Sequence, residues 1–178
     1  MKFQLPMYSC LVGLFCLFLS CENLTSLEIN KEVNQTQNSE EKPDFEAKVI
    51  RIIDGDTMEV LYGELPVTIR LQHIDCPEKK GNQPFGNKAK QTLSDLCFGQ
   101  SIEIKYSGDK DRNGRYICEL FTIDGLNINQ EMIKKGMAWH YKKYSNDNQY
   151  AELENEARKN KIGLWSEPNP TPPWEWRK

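Results

Sequence analysis

Histidine is almost missing from this chain: its 178 residues include only His73 and His140. Of six cysteines, Cys10 and Cys16 fall in the first apolar stretch and Cys21 just after it, leaving Cys76, Cys97 and Cys118 far apart in the rest. A zinc site wants close Cys/His pairs, so this spacing argues against one. Three is also an odd number, so at most one pair can be bridged, and buried structural thiols are the default reading. An excess of positive charge is lacking too. The formal net charge is -3, which provides no general polycation for an anionic partner. Residues 22–46 carry 7 acids against 2 bases, whereas residues 47–178 carry 20 bases against 19 acids. Any anion must therefore be gripped by local positive charges rather than by a global field. No internal repeat is present. At 28% charged and 38% hydrophobic, the composition is that of an ordinary globular chain.

No long membrane-spanning run occurs either. The apolar stretch at residues 7–19, preceded by Lys2, is short for a bilayer-spanning helix and suits the core of a secretory signal. Its ending, Leu17-Phe18-Leu19-Ser20-Cys21, resembles a bacterial lipoprotein processing site. The resemblance implies a signal at 1–20, a lipidated Cys21 as mature N-terminus and attachment to a membrane of the cell envelope. A plain secretory signal or an uncleaved anchor is the simpler alternative. Residues 21–46 are acidic and polar, with too few apolar side chains to offset ordering entropy, and read as a disordered tether.

What remains is patterned. Residues 47–53 form a β-branched run closed by the Asp54-Gly55-Asp56 turn; strand character resumes at 58–61 and again at 67–71. Phe85, Ala89, Leu93, Leu96 and Cys97 fall at helical spacing between Pro84 and Gly99. Ile102, Ile104 and Tyr106 alternate, as do Tyr116, Cys118 and Leu120 beyond a polar loop at 109–114. A short helix is expected at 128–135, capped by Asn127, and another at 148–161. The Pro/Trp-rich tail, 168–178, reads as extended, and no function attaches to it. The pattern predicts an α+β chain with a mainly β core: an OB-fold, a five-stranded Greek-key barrel with about three helices, over 47–167. A ferredoxin-like sheet is the alternative.

Two acidic pairs sit where strands meet turns: Asp54 with Asp56, and Asp75 with Glu78. Alone, each is a common turn signal. Together they offer hard oxygen donors of the kind calcium prefers. Arg70 lies between core-facing Ile69 and Leu71, so alternation turns its guanidinium to the other face. Arg115 likewise opens a strand, just after Asn113-Gly114. Two arginines, a glutamate and a hard-cation site have a phosphodiester as their joint target. The simpler alternative is two solvated turns and surface ion pairs.

These residues carry a resemblance to the staphylococcal nuclease family. Its pieces are IDGDT at 53–57, IRL at 69–71, IDCPE at 74–78, DRNGR at 111–115, KKGMA at 134–138 and GLW at 163–165, in order along nearly the whole folded part. The resemblance implies a phosphodiesterase acting on DNA or RNA and leaving 3′-phosphorylated products. It implies catalytic roles for Arg70, Glu78 and Arg115, and a Ca²⁺ held by Asp56, Asp75 and the carbonyl of Cys76, with Asp54 acting through water. Cys76 replaces the family's usual threonine, and a carbonyl ligand needs no particular side chain. Tyr144, Tyr141 and Lys79 are the implied substrate contacts, with Lys80, Lys142 and Lys143 nearby and Asn113 where the best-known member has a substrate-touching tyrosine. A monomer is expected. Two other classes stay open: a non-catalytic nucleic-acid-binding OB module, and a structural envelope lipoprotein. Retention of all three catalytic positions with both carboxylates favours the enzyme.

Overall fold

A computed structural model describes residues 45–178. The expected signal, Cys21 and the tether up to residue 44 lie outside the described residues. Among the described residues there are seven strands: β1 (Phe45–Asp54), β2 (Thr57–Tyr62), β3 (Leu65–Leu71), β4 (Ile74–Asp75), β5 (Ser101–Lys110), β6 (Tyr116–Thr122) and β7 (Trp139–His140). β1 thus begins inside the stretch expected as tether. Phe45 pairs with Ile104 of β5, and its ring meets Tyr62 edge-on at 4.8 Å, so an apolar contact holds the strand's first residue.

Within β1 the two-residue period breaks once: Ala47 and Val49 are buried, and so is Ile52. A register shift against β2 between Val49 and Arg51 accommodates the extra residue. Such a bulge lets side chains three apart share one face.

Five strands close into a barrel in the order β1-β2-β3-β6-β5. All neighbours are antiparallel except β3 and β6, which run parallel with Ile69 opposite Tyr116. Val49, Met58, Ile69, Ile102, Ile104 and Leu120 are fully buried in the core. Each such side chain contributes about 1.5–3 kcal/mol relative to exposure. This is the OB-type barrel that the alternation predicts.

Helix α1 (Gly86–Cys97) buries Gly86, Ala89, Leu93 and Cys97, one stripe at helical spacing. α2 (Ile128–Lys134) starts at Asn127, whose side chain accepts from the Gln130 amide at 3.0 Å, the cap expected there. α3 (Asn148–Lys159) is capped by Asp147 and ends on Arg158 and Lys159, which suit the negative end of its dipole. Trp139, Ala157, Leu164 and Trp165 form a second small core, with Trp174 packed against it. Here the tail departs from expectation. Instead of running extended throughout, it makes one helical turn, α4 (Pro173–Trp176), started by Pro173 at a first-turn position. Cys76, Cys97 and Cys118 are buried thiols, none in a disulfide.

Candidate active site

Arg70 projects from β3 away from the barrel interior, since its neighbours Ile69 and Leu71 are buried there. Its Nη2 lies 2.8 Å from Asp75 Oδ1 and 3.1 Å from Asp56 Oδ2, while Nη1 donates to the Leu71 carbonyl at 3.0 Å. Two turns far apart in sequence therefore meet at one guanidinium nitrogen. Asp56 is fixed further: its Oδ1 accepts from Thr57 Oγ1 at 3.0 Å and its Oδ2 from the Cys76 amide at 2.8 Å.

The local chain dictates where Arg115 stands. Asp111 Oδ1 accepts from the Asn113 and Arg115 amides, folding the loop on itself, and Asp111 Oδ2 accepts from Arg115 Nε at 2.7 Å. The parallel β3–β6 pairing then sets the residue preceding Tyr116 beside the Arg70 strand. From there Arg115 Nη1 donates to Thr57 Oγ1 at 2.9 Å. Glu78 is held by its backbone: its amide donates to Gln83 Oε1 at 2.8 Å, and its carbonyl accepts from the Gln83 amide at 3.2 Å. Gly86 opens α1 against that same carbonyl, where a Cβ would come within 2.3 Å of Glu78 O.

One partner escaped sequence reasoning. Arg177, at the end of α4, donates from Nη1 and Nη2 to Asp75 Oδ1 and Oδ2 at 3.2 and 2.6 Å, and from Nη1 to Glu78 Oε1. The available signal was a tail rich in tryptophan and proline, apolar residues unlike those of a solvated terminus. Arg177 ties Glu78 and Asp75 into the network already joined by Arg70. Thus Arg70, Asp56, Asp75 and Glu78 are brought together, with Arg115 linked through Thr57.

Electrostatics follow from crowding. Burial pushes the Asp75 carboxyl above its ordinary value and Asp56 adds to this, offset only in part by Arg177 and Arg70. Burial, then Asp56, likewise raises Asp54. For Arg70, burial works against the charge, but Asp56 and Asp75 outweigh it and hold the guanidinium firmly protonated. Burial drives the Cys76 thiol well up, and Asp56 adds to it, so the thiol form is favoured there.

Among the described residues, no group of three or more His, Cys, Asp or Glu side chains is placed to hold a metal by itself. The donors expected for a hard cation are, however, two carboxylates completed by a carbonyl and water. Asp56 and Asp75 converge on a single cationic nitrogen, and two guanidinium groups occupy Asp75 as stand-in cations. The residues present fit such an ion.

Among the expected substrate contacts, Lys79 directly follows Glu78 and its amide bonds to Asp54. Tyr144 is 68% exposed, and Lys79, Lys80, Lys142, Lys143 and Asn113 are exposed as well. Tyr141 is stacked on Trp174, with centroids 5.5 Å apart and planes within 5°, so one of its faces is already covered. Trp139 is buried, with the Arg158 guanidinium over its ring at 4.6 Å and Trp165 edge-on at 4.4 Å, a packing role. Because Asp75 pairs with Trp139 across β4 and β7, this aromatic segment still borders the carboxylates.

Comparison with known proteins completes this picture. Residues 68–167 match the family described as staphylococcal nuclease homologue. The chain belongs to that family. An uncharacterized endonuclease of Escherichia coli O157:H7 is 42% identical over 134 residues, covering 75% of this chain and 86% of the relative. The micrococcal nuclease of Shigella flexneri is 40% identical over 145 residues, 76% of this chain and 82% of its own length. An uncharacterized endonuclease of Haemophilus influenzae is 42% identical over 132 residues, 74% and 72% of the two chains. As a family member the protein is a nuclease, with nucleic acid as its substrate.

Proposed function

We propose that this nuclease is calcium-dependent and hydrolyses DNA or RNA to 3′-phosphorylated products, with Arg70, Glu78 and Arg115 as its catalytic residues. The observation that carries this reading is the convergence of Arg70 on both Asp56 and Asp75, at 3.1 and 2.8 Å. Asp56, Asp75 and the Cys76 carbonyl would hold the ion, with Asp54 acting through water. When bound, the ion would polarise a phosphate oxygen and so draw electron density from phosphorus.

The remaining work belongs to side chains. Glu78 takes a proton from the attacking water as its oxygen bonds to phosphorus. The bond from phosphorus to the 5′ oxygen breaks, the departing oxygen takes a proton from solvent water, and Glu78 returns its own proton to solvent, leaving phosphate on the 3′ side. Arg70 neutralises the phosphate. Arg115, already oriented by Asp111 and Thr57, meets the extra charge of the five-coordinate transition state. Cleavage of plasmid DNA by the purified chain, with calcium or with chelator, tests the reading. Glu78→Gln and Arg115→Ala should each lower the rate by roughly 10²-fold or more. Activity within a few-fold of the unaltered chain in either variant would remove the scheme.

The same proposal places the enzyme outside the cytoplasm, tethered through a lipid on Cys21 and the acidic segment that follows, and working as a monomer. Fractionation of cells expressing the Cys21→Ser variant tests the tether: the variant should leave the membrane fraction, and retention there would refute the anchor.

A further inference from the structure

The tail beyond the barrel is part of the site. Gln83 bridges the two: its Oε1 accepts from the Glu78 amide at 2.8 Å while its Nε2 donates to the Thr171 carbonyl at 2.7 Å. Pro173 is buried, and Trp174 stacks on Tyr141 and meets Trp139 edge-on at 5.6 Å. These anchors leave Arg177 facing Asp75 and Glu78.

Two guanidinium groups then share one carboxylate that has no exposure of its own. Arg70 is the fixed one: 12% exposed, held within β3 and bonded also to Asp56 and the Leu71 carbonyl. Arg177 is the removable one, with 39% of its side chain exposed and its place at the end of α4 rather than within a strand. Its nitrogens lie 3.2 and 2.6 Å from the two Asp75 oxygens. A calcium ion must approach its oxygen ligands to about 2.3–2.6 Å. On Asp75 it would compete with those nitrogens for the same two oxygens. Without Arg177, Asp54, Asp56, Asp75 and Glu78 would crowd together with Arg70 left to bridge Asp56 and Asp75.

We propose that Arg177, paired with Glu78, is a built-in cation that occupies the metal's place on Asp75 and gives it up when the divalent ion loads. The inference rests on the reading of Asp56 and Asp75 as metal ligands. Because Thr171 and Trp174 stay docked, the exchange moves a single side chain, and metal uptake is opposed until the guanidinium swings out.

Calorimetric titration of the full chain with calcium alone, without nucleic acid, tests this. Arg177→Gln should bind calcium at least tenfold more tightly than the unaltered chain, while Lys178→Gln, which removes a neighbouring positive charge, should not. In the unaltered chain, calcium should shift the Arg177 Nε–H resonance in ¹⁵N NMR spectra as its ion pairs break. Equal affinity in Arg177→Gln, equal tightening in Lys178→Gln, or an unmoved resonance at saturating calcium would each overturn the proposal. Asp75→Asn separates the two readings. If it abolishes binding in those cases, the metal site stands and only the exchange fails; if it leaves affinity unchanged, both fall.

Discussion

Arg115 and Asp56 are joined through one hydroxyl: Arg115 Nη1 donates to Thr57 Oγ1 at 2.9 Å, and that hydroxyl donates to Asp56 Oδ1 at 3.0 Å. Thr57 is buried and sits opposite Arg70 in the β2–β3 pairing, so both arginines are positioned from the same strand pair. Thr57→Val keeps the shape and removes the relay. Unfolding should become easier by about 1–2 kcal/mol, the cost of leaving a buried partner unmade. The turnover number should fall by roughly tenfold or more as Arg115 loses its aim. Urea denaturation and steady-state cleavage measure the two; unchanged turnover would mean that Asp111 alone orients Arg115.

Gly86 is where backbone packing meets chemistry. A methyl group there would lie 2.3 Å from the Glu78 carbonyl oxygen and 2.9 Å from the Lys79 amide nitrogen, both backbone atoms that cannot swing aside. Since α1 is otherwise sound, the easier relief is a shift of the Glu78 segment. Gly86→Ala should therefore reduce cleavage by about 10²-fold, the order that a 1 Å displacement can cost. Its far-ultraviolet circular dichroism should stay that of the parent. Full activity in Gly86→Ala would show that the Glu78 loop relaxes without consequence.

Local pattern made the barrel readable. Val67, Ile69 and Leu71 alternate and face inward as alternation requires, and Arg70 falls on the opposite face. The Asn127 cap and the stripe of α1 were equally plain. What alternation could not give is the parity change in β1, because the bulge between Val49 and Arg51 is set by pairing with β2. Nor could it give Arg177, whose partners lie 99 and 102 residues away in the chain. The Phe85 start of α1 was hidden for another reason. Phe85 has φ 67° and no side-chain cap, so nothing in its residue type marks the turn. Tyr141 was legible as an aromatic near the site, but its stacking on Trp174 depends on the tail docking.

Asn129 tests how α2 supports the carboxylate turn. Its side chain is fully buried, accepting from the Leu120 amide and donating to the Gln72 and Cys118 carbonyls, each at 3.1 Å. Gln72 lies three residues before Asp75, so one amide ties the helix to β6 and to the chain entering the site. Asn129→Leu conserves bulk but removes every one of these bonds. The Cys118 carbonyl keeps the Gln72 amide, so the loss falls on the Leu120 amide and the Gln72 carbonyl; each costs about 1–3 kcal/mol when left unpaired, and the variant should unfold at clearly lower denaturant. A midpoint equal to the parent's would show that the amide only fills space.

His140 gives the fold a pH dependence of definite sign. Its ring is buried, with Nε2 2.8 Å from Ser145 Oγ, and that hydroxyl is also 2.8 Å from His73 Nδ1. Ser145 has a single hydroxyl proton, so it can donate to only one of the two rings. His140 Nδ1 has no hydrogen-bond partner among the described residues. Burial holds the His140 value below 6.5; Glu154 and Asp147 pull it upward, while Lys142 and His73 push it down. The unfolded chain therefore takes up this proton at a higher pH than the folded one. Stability from the neutral ring is fully present above 6.5 and is lost as pH falls through 6.5 toward the lower folded value. Asp54 and Asp75 act in the opposite direction, since their raised folded values favour proton uptake by the native state. Comparison with His140→Gln isolates the ring from both. Between about pH 8 and about pH 5 the parent should lose more unfolding free energy than the variant, read from urea midpoints at each pH. Parallel curves would mean that the imidazole titrates alike in both states and that its burial carries no linkage.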